Sequence, residues 1–195
     1  MYPEDFGGGP TGPTSPLEYR RRESERSIYT EKKIGDDWVA YWTTGELPED
    51  AQVTRVTVIP YRGERGVIPW KGGRFSLPEG DVQAGESAEG AIRRLLLEQV
   101  GIQDPSITHL GHFVLKATTL NKKLQGGTTV YDAFYVAEVG SLADNPGDQT
   151  YERRIVLQRE LNEVLRGNYI ERRREYTDAL DHWLLERLKA ARTDN

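Results

Sequence analysis

Val53 to Tyr61 (VTRVTVIPY) alternates β-branched with polar positions, and that period of two predicts a strand. RGERG follows as a turn signal. VIPWKGGRFSLP then predicts a pair of strands interrupted at Gly72-Gly73. The period changes at Ser87: Ala88, Ala91, Ile92, Leu96 and Val100 recur at helical spacing and predict a core-facing stripe. Ser87 suits an N-cap, and Gly101 suits the left-handed position that ends a helix. Downstream, His109 to Thr119 and Thr129 to Val139 predict two long strands joined by NKKLQGG. Tyr131, Ala133, Tyr135 and Ala137 lie on one face of the second; Val130, Asp132, Phe134 and Val136 lie on the other.

The polar loop 140–150 leads to a short strand (RRIVL) and a short helix over Gln158 to Leu165. A final helix over about 171–191 carries Tyr176, Leu180, Trp183, Leu184 and Leu188 on one stripe. Near the start, YTEKKIGDDWVAYWTT predicts a hairpin or extended segment over Tyr29 to Thr44. Residues 1–28, with GGGPTGPTSP and RRRESER, read as a flexible arm. Strands, one helix, strands and then two helices predict an α+β sandwich, with helices packed on a mixed sheet, as one domain over 29–195.

Composition narrows the function. Hydrophobic residues make up 36% of the chain and charged residues 29%, a globular balance. No apolar run is long enough to span a membrane, and MYPEDFGGGP lacks the basic and apolar regions of a secretory signal. Without cysteine there are no disulfides, thiolate metal sites or cysteine nucleophiles, which fits a reducing, cytoplasmic setting. A net charge of −5 disfavours a nucleic-acid-coating role. The sequence contains neither a P-loop nor a G-x-S-x-G motif. His109 and His112, three apart on a predicted strand, should face opposite sides and make a poor chelate. ERRRE at 171–175 reads as the polar start of the last helix.

The stretch LPEGDVQAGESAEGAIRRLLLEQVGI, from Leu77 to Ile102, carries the chemistry. Gly80, then Glu86, Arg94, Leu96, Glu98, Gly101 and Ile102 resemble the Nudix box, G-x5-E-x7-R-E-U-x-E-E-x-G-U, where U is a bulky aliphatic. Phe75-Ser76-Leu77-Pro78 is similar to that family's aromatic-x-Leu-Pro lead-in. The resemblance covers about residues 50–165. It implies a Nudix-like α/β/α sandwich and a phosphoanhydride hydrolase, acting on nucleotide-type small molecules with Mg²⁺ or Mn²⁺ held by clustered carboxylates.

Carried over by position, the resemblance gives Glu98, Glu86 and Arg94 catalytic duties, with Glu86 and Arg94 bracing the loop. Gly80 and Glu98 become metal ligands, joined by Glu152 outside the box, and Arg74, Glu79 and Gly80 become ligand contacts. Two family glutamates are replaced, by Leu95 and by Gln99. A leucine cannot ligate a hard cation, and a glutamine brings no charge to offset one. The expectation is a protein that recognises a nucleoside-diphosphate-linked ligand and hydrolyses it weakly or not at all. One alternative is an active Mg²⁺-dependent hydrolase in which Glu79, Asp81, Glu89 or Glu152 supports Glu98. Another is a non-catalytic interaction module, with a homodimer formed through the N-terminal segment or last helix. Leu95 reads as packing or interface. Trp38, Tyr41, Trp42 and Trp70 are core or dimer aromatics with nucleobase stacking as the alternative, and Arg55, Lys71 and Arg93 join Arg74 as basic groups able to meet phosphate.

Overall fold

A computed structural model describes residues 31–193; the expected arm over 1–28 lies outside them. The strands are β1 (Lys32–Ile34), β2 (Trp38–Thr43), β3 (Val53–Arg62), β4 (Arg65–Lys71), β5 (Arg74–Phe75), β6 (Glu79–Asp81), β7 (Ile102–Gln103), β8 (Ser106–Ala117), β9 (Thr129–Glu138), β10 (Ser141–Leu142) and β11 (Glu152–Val156). The helices are α1 (Ala88–Val100), α2 (Gln158–Asn168) and α3 (Arg173–Thr193).

Among the described residues, one mixed sheet runs β1-β2-β8-β9-β3-β4-β11, with β5 added to β4 and β6 to β3. Strands β3 and β9 pair in parallel, and the other pairings are antiparallel. Alternation along β3 and β9 sorts the core into two layers. Val56, Val58, Ala133, Tyr135 and Ala137 pack with Ala91, Ile92, Leu95, Leu96 and Val100 of α1. Ile59, Tyr61, Val130, Phe134 and Val136 pack with Leu161 and Leu165 of α2 and Tyr176 and Leu180 of α3. The fold is therefore the expected α/β/α sandwich, and the two faces predicted for β9 are the two layers.

Local chemistry sets the ends of α1. The Ser87 hydroxyl accepts from the Gly90 N–H at 3.0 Å, and Gly101 closes the helix at φ 69°. On α3 the predicted stripe holds through Tyr176 and Leu180, with Trp183 and Leu184 half-buried, but Leu188 is exposed. The sheet face ends before the helix does, so its last turns have no layer to cover. Trp42 joins the core, meeting Phe113 edge-on at 5.0 Å and Tyr176 at 6.0 Å, while Trp70 packs edge-on against Phe75 at 4.5 Å.

The histidine expectation is corrected. A bulge between His109 and Gly111 inserts one residue into β8, shifting the alternation so that His109 and His112 share a face. Their rings stack at 5.4 Å. Gly111 is required there, because a Cβ at that position would lie 2.4 Å from Trp42 Cζ2 and 2.8 Å from the Thr43 carbonyl oxygen. Burial and the neighbouring His109 lower the His112 pKa to about 4, and His112 Nδ1 has no hydrogen-bond partner.

Gly111→Ala is expected to destabilise the fold by about 1–3 kcal/mol through overpacking, read as a lower denaturant midpoint with an unchanged slope. For His112 the folded pKa lies below the unfolded one. The unfolded chain therefore binds more protons between the two values, and stability falls as pH drops from 6.5 toward 4. In His112→Phe that part of the pH dependence should flatten; an equally steep slope would assign it to other groups.

Candidate functional site

The box loop leaves β6, whose Gly80 pairs with Val56 of β3, and enters α1 at Ser87. Arg94, one turn into the helix's inner half, holds that loop closed. Its Nε donates to Glu86 Oε1 and its Nη2 to Glu86 Oε2, both at 2.9 Å, and Nη2 also donates to the Asp81 carbonyl at 3.1 Å. Glu86 accepts from the Gln83 N–H at 3.0 Å as well. The Arg94 contact first, and that N–H second, hold its carboxyl below the usual carboxylate range. Arg94 Nη1 reaches Glu98 Oε2 at 3.4 Å, and the Glu98 side chain is about half exposed.

Positions 95 and 99 do something other than present oxygen to a cation. The Leu95 side chain is buried and lies directly over Gly80: a Cβ on Gly80 would come 2.8 Å from Leu95 Cδ2. Burying such a leucine stabilises the fold by about 1.5–3 kcal/mol. Gln99 is committed to backbone. Its Nε2 donates to the Glu79 carbonyl at 2.9 Å, and its Oε1 accepts from the Glu79 N–H at 3.3 Å. A carboxylate could accept there but not donate. Together these two side chains clamp β6 onto α1.

Among the described residues no three His, Asp or Glu side chains converge in a way that would hold a metal ion. Glu98 faces Arg94, and Glu152, at the start of β11, pairs with Arg154 at 2.5 Å. This donor set does not fit the divalent cation that the box resemblance implies. The acids considered as substitutes pair elsewhere: Glu79 and Asp81 share Arg55, each at 3.2 Å, and Glu89 meets Arg93 at 2.6 Å.

On the other side of β6 opens a cavity of about 600 Å³, lined by Arg55, Glu79, Asn168, Tyr169, Ile170, Glu171 and Arg172. Arg74, on β5 opposite Lys71, stands outside this lining; the arginines brought to the cavity are Arg55 and Arg172. ERRRE reads as the polar start of the last helix, and α3 begins within it at Arg173 with Arg173 and Arg174 exposed. Arg172 precedes the helix, is largely buried and forms an ion pair with Asp132 of β9. Asp132 is fully buried. Burial raises its pKa to about 6, and the nearby guanidinium groups of Arg172 and Arg55 offset only part of that rise. A single carboxylate between Val130 and Phe134 on an otherwise apolar strand face was the sequence signal for this feature.

A larger cleft of about 880 Å³ lies between α3 and strands β2 and β8, lined among others by Trp42, His109, His182 and Trp183. It takes no residue from the stretch Leu77 to Ile102, whereas the smaller cavity takes Glu79 beside Gly80.

The family description "NUDIX domain" matches residues 53–180. Among solved structures, the Bacillus subtilis pyrophosphohydrolase BsRppH, crystallised as a point mutant, aligns with a TM-score of 0.55 at 17% identity, covering 77% of this chain and 96% of that one. A NUDIX hydrolase from Nitrosomonas europaea aligns with a TM-score of 0.46 at 18% identity, over 66% of this chain and 89% of that one. An ADP compounds hydrolase aligns with a TM-score of 0.47 at 15% identity, over 81% and 92% respectively. No curated protein matches the chain.

Gln99→Glu removes the donor to the Glu79 carbonyl and places two acceptors face to face. The substitution should destabilise the protein by about 1–3 kcal/mol at neutral pH, with recovery in acid as the new carboxyl regains a proton. Chemical denaturation at two pH values measures this, and equal stability at neutral pH would show that the clamp is energetically idle.

Proposed function

The chain belongs to the NUDIX family, and on that premise we propose that it binds a nucleoside-diphosphate-linked ligand without hydrolysing it by the family's metal-dependent route. One observation carries the reading: the two box positions where glutamates are missing hold a leucine packed on Gly80 and a glutamine spent on the Glu79 backbone. Glu98 alone leaves too little negative charge to hold a hard divalent cation against a phosphoanhydride. The loss of each such electrostatic group from an active site lowers turnover by about 10²–10³-fold.

Ligand recognition is supported by the rest of the site. The brace of Glu86 and Arg94 keeps the loop formed, and the loop delivers backbone to the N-terminus of α1, a setting favourable to anions. Beside it, Arg55 and Arg172 bring guanidinium groups to a cavity large enough for a nucleotide fragment. In this reading Glu98 is what remains of a metal site, Arg94 and Glu86 are positioning residues, and Gly80 and Glu79 form the wall between loop and cavity.

The test is nucleoside monophosphate formation from a panel of nucleoside diphosphate derivatives with Mg²⁺ and with Mn²⁺, comparing wild type, Glu98→Gln and the double variant Leu95→Glu/Gln99→Glu. Wild type should form no monophosphate above the Glu98→Gln background, while ADP binding persists without metal. The double variant, if folded by circular dichroism, should gain metal binding. Wild-type turnover that Glu98→Gln abolishes would establish the active-hydrolase alternative instead.

A further inference from the structure

Each guanidinium of the cavity beside the box already faces a carboxylate before any ligand enters. Arg55 faces Glu79 and Asp81, and Arg172 faces Asp132. Glu171 stands at the exposed rim, where solvent screens it. An anion placed against either guanidinium would therefore compete with a carboxylate already there.

The two competitions differ. Arg55 is part-exposed, and the Asp81 side chain it meets lies almost entirely in water, so a displaced Asp81 is simply rehydrated. Asp132 has no such outlet, because its carboxylate is fully buried and Arg172 is the side chain that pairs with it. Besides Arg172, the Arg55 guanidinium on the neighbouring strand acts on it as a second, weaker counter-charge, and its surroundings supply few others. Phe113 stands opposite it on β8, and the Arg172 guanidinium lies over that ring at 5.8 Å. From β1, Lys32 also lies over Phe113, at 4.6 Å, and is paired with Glu175 at 2.6 Å. From α3 the Tyr176 hydroxyl meets Thr57 at 3.5 Å, and Glu79 of β6 adds a like charge rather than a counter-ion. Removing the partner of a buried charge strands it in a low-dielectric interior, and protonation is the way out.

Building on the ligand-binding reading above, we propose that a phosphate-bearing ligand enters this cavity by taking Arg172 from Asp132, and that Asp132 takes up one proton from solvent in the exchange. The ion pair between Arg172 and Asp132 opens, one between Arg172 and the ligand oxyanion forms, and the Asp132 carboxylate becomes a carboxylic acid. The proton offsets one unit of the negative charge that the ligand brings. Binding then tightens as pH falls. The carboxyl is already easier to protonate than an ordinary aspartate, which makes the uptake accessible near neutrality.

The experiment is isothermal titration of the full-length protein with ADP and with inorganic sulfate, each in two buffers of different ionisation enthalpy near pH 7. Sulfate does not itself titrate there, so protons taken up with it belong to the protein. The expected result is uptake of about one proton per sulfate bound, with affinity weakening by about tenfold per pH unit toward alkaline pH. ADP should bind with about one proton more in wild type than in Asp132→Asn. Binding of either ligand with no protein proton uptake, or the same uptake in Asp132→Asn, overturns the proposal while leaving the ligand-binding reading intact. Sulfate uptake of a proton without ADP binding upholds the anion site and sinks the nucleoside reading; no binding of either sinks both. Should Asp132→Asn not fold, the wild-type sulfate titration decides alone.

Discussion

Gly80 has no side chain, and Leu95 fills the space where one would be. This close approach lets β6 lie flat against α1, and Gln99 completes the contact by pairing with both backbone polar groups of Glu79. Much of the site follows from it. With its backbone fixed, Glu79 directs its carboxylate to Arg55 on β3, and Asp81 offers its carbonyl to Arg94 and its carboxylate to Arg55. The wall between the box loop and the cavity is thus a consequence of two side chains on one helix face.

The same two positions set what this helix face offers. Carboxylates at 95, 98 and 99 would repel one another and stay poorly solvated until a cation neutralised them, a cost that a metal enzyme accepts for the sake of turnover. Here that tension is absent. One position contributes apolar burial and another a bidentate amide contact, and both strengthen the apo fold. At these two positions the helix face serves packing and a backbone contact rather than a carboxylate cluster.

On the opposite face of β6 the electrostatics run the other way. Asp132 and Arg172 are a buried pair, held where apolar residues of equal volume would cost nothing in desolvation. Phe134 and Tyr176, stacked at 3.9 Å, wall the pair off from the rest of the core. The pair sits at the edge of the cavity, which Arg172 lines.

Much of this architecture was legible in the chain because its causes are local. Ser87 and Gly101 cap α1 through groups within a turn of themselves, and the alternation along β3 and β9 assigns each residue to a layer by parity alone. The box spacing located the loop, the brace and the two replaced glutamates. The sequence could not say what Gln99 does, since its side chain finds its partner in the backbone of a strand twenty residues earlier. Nor could it place His109 and His112 together: parity fails wherever a bulge inserts a residue, and this bulge exists because Trp42 of another strand needs the space at Gly111. Arg172 looked like helix surface until the turn after α2 brought it over β9. Periodicity and caps are short-range and survive in the sequence, whereas the partner of a buried charge or amide is chosen by which strands and helices finally lie side by side.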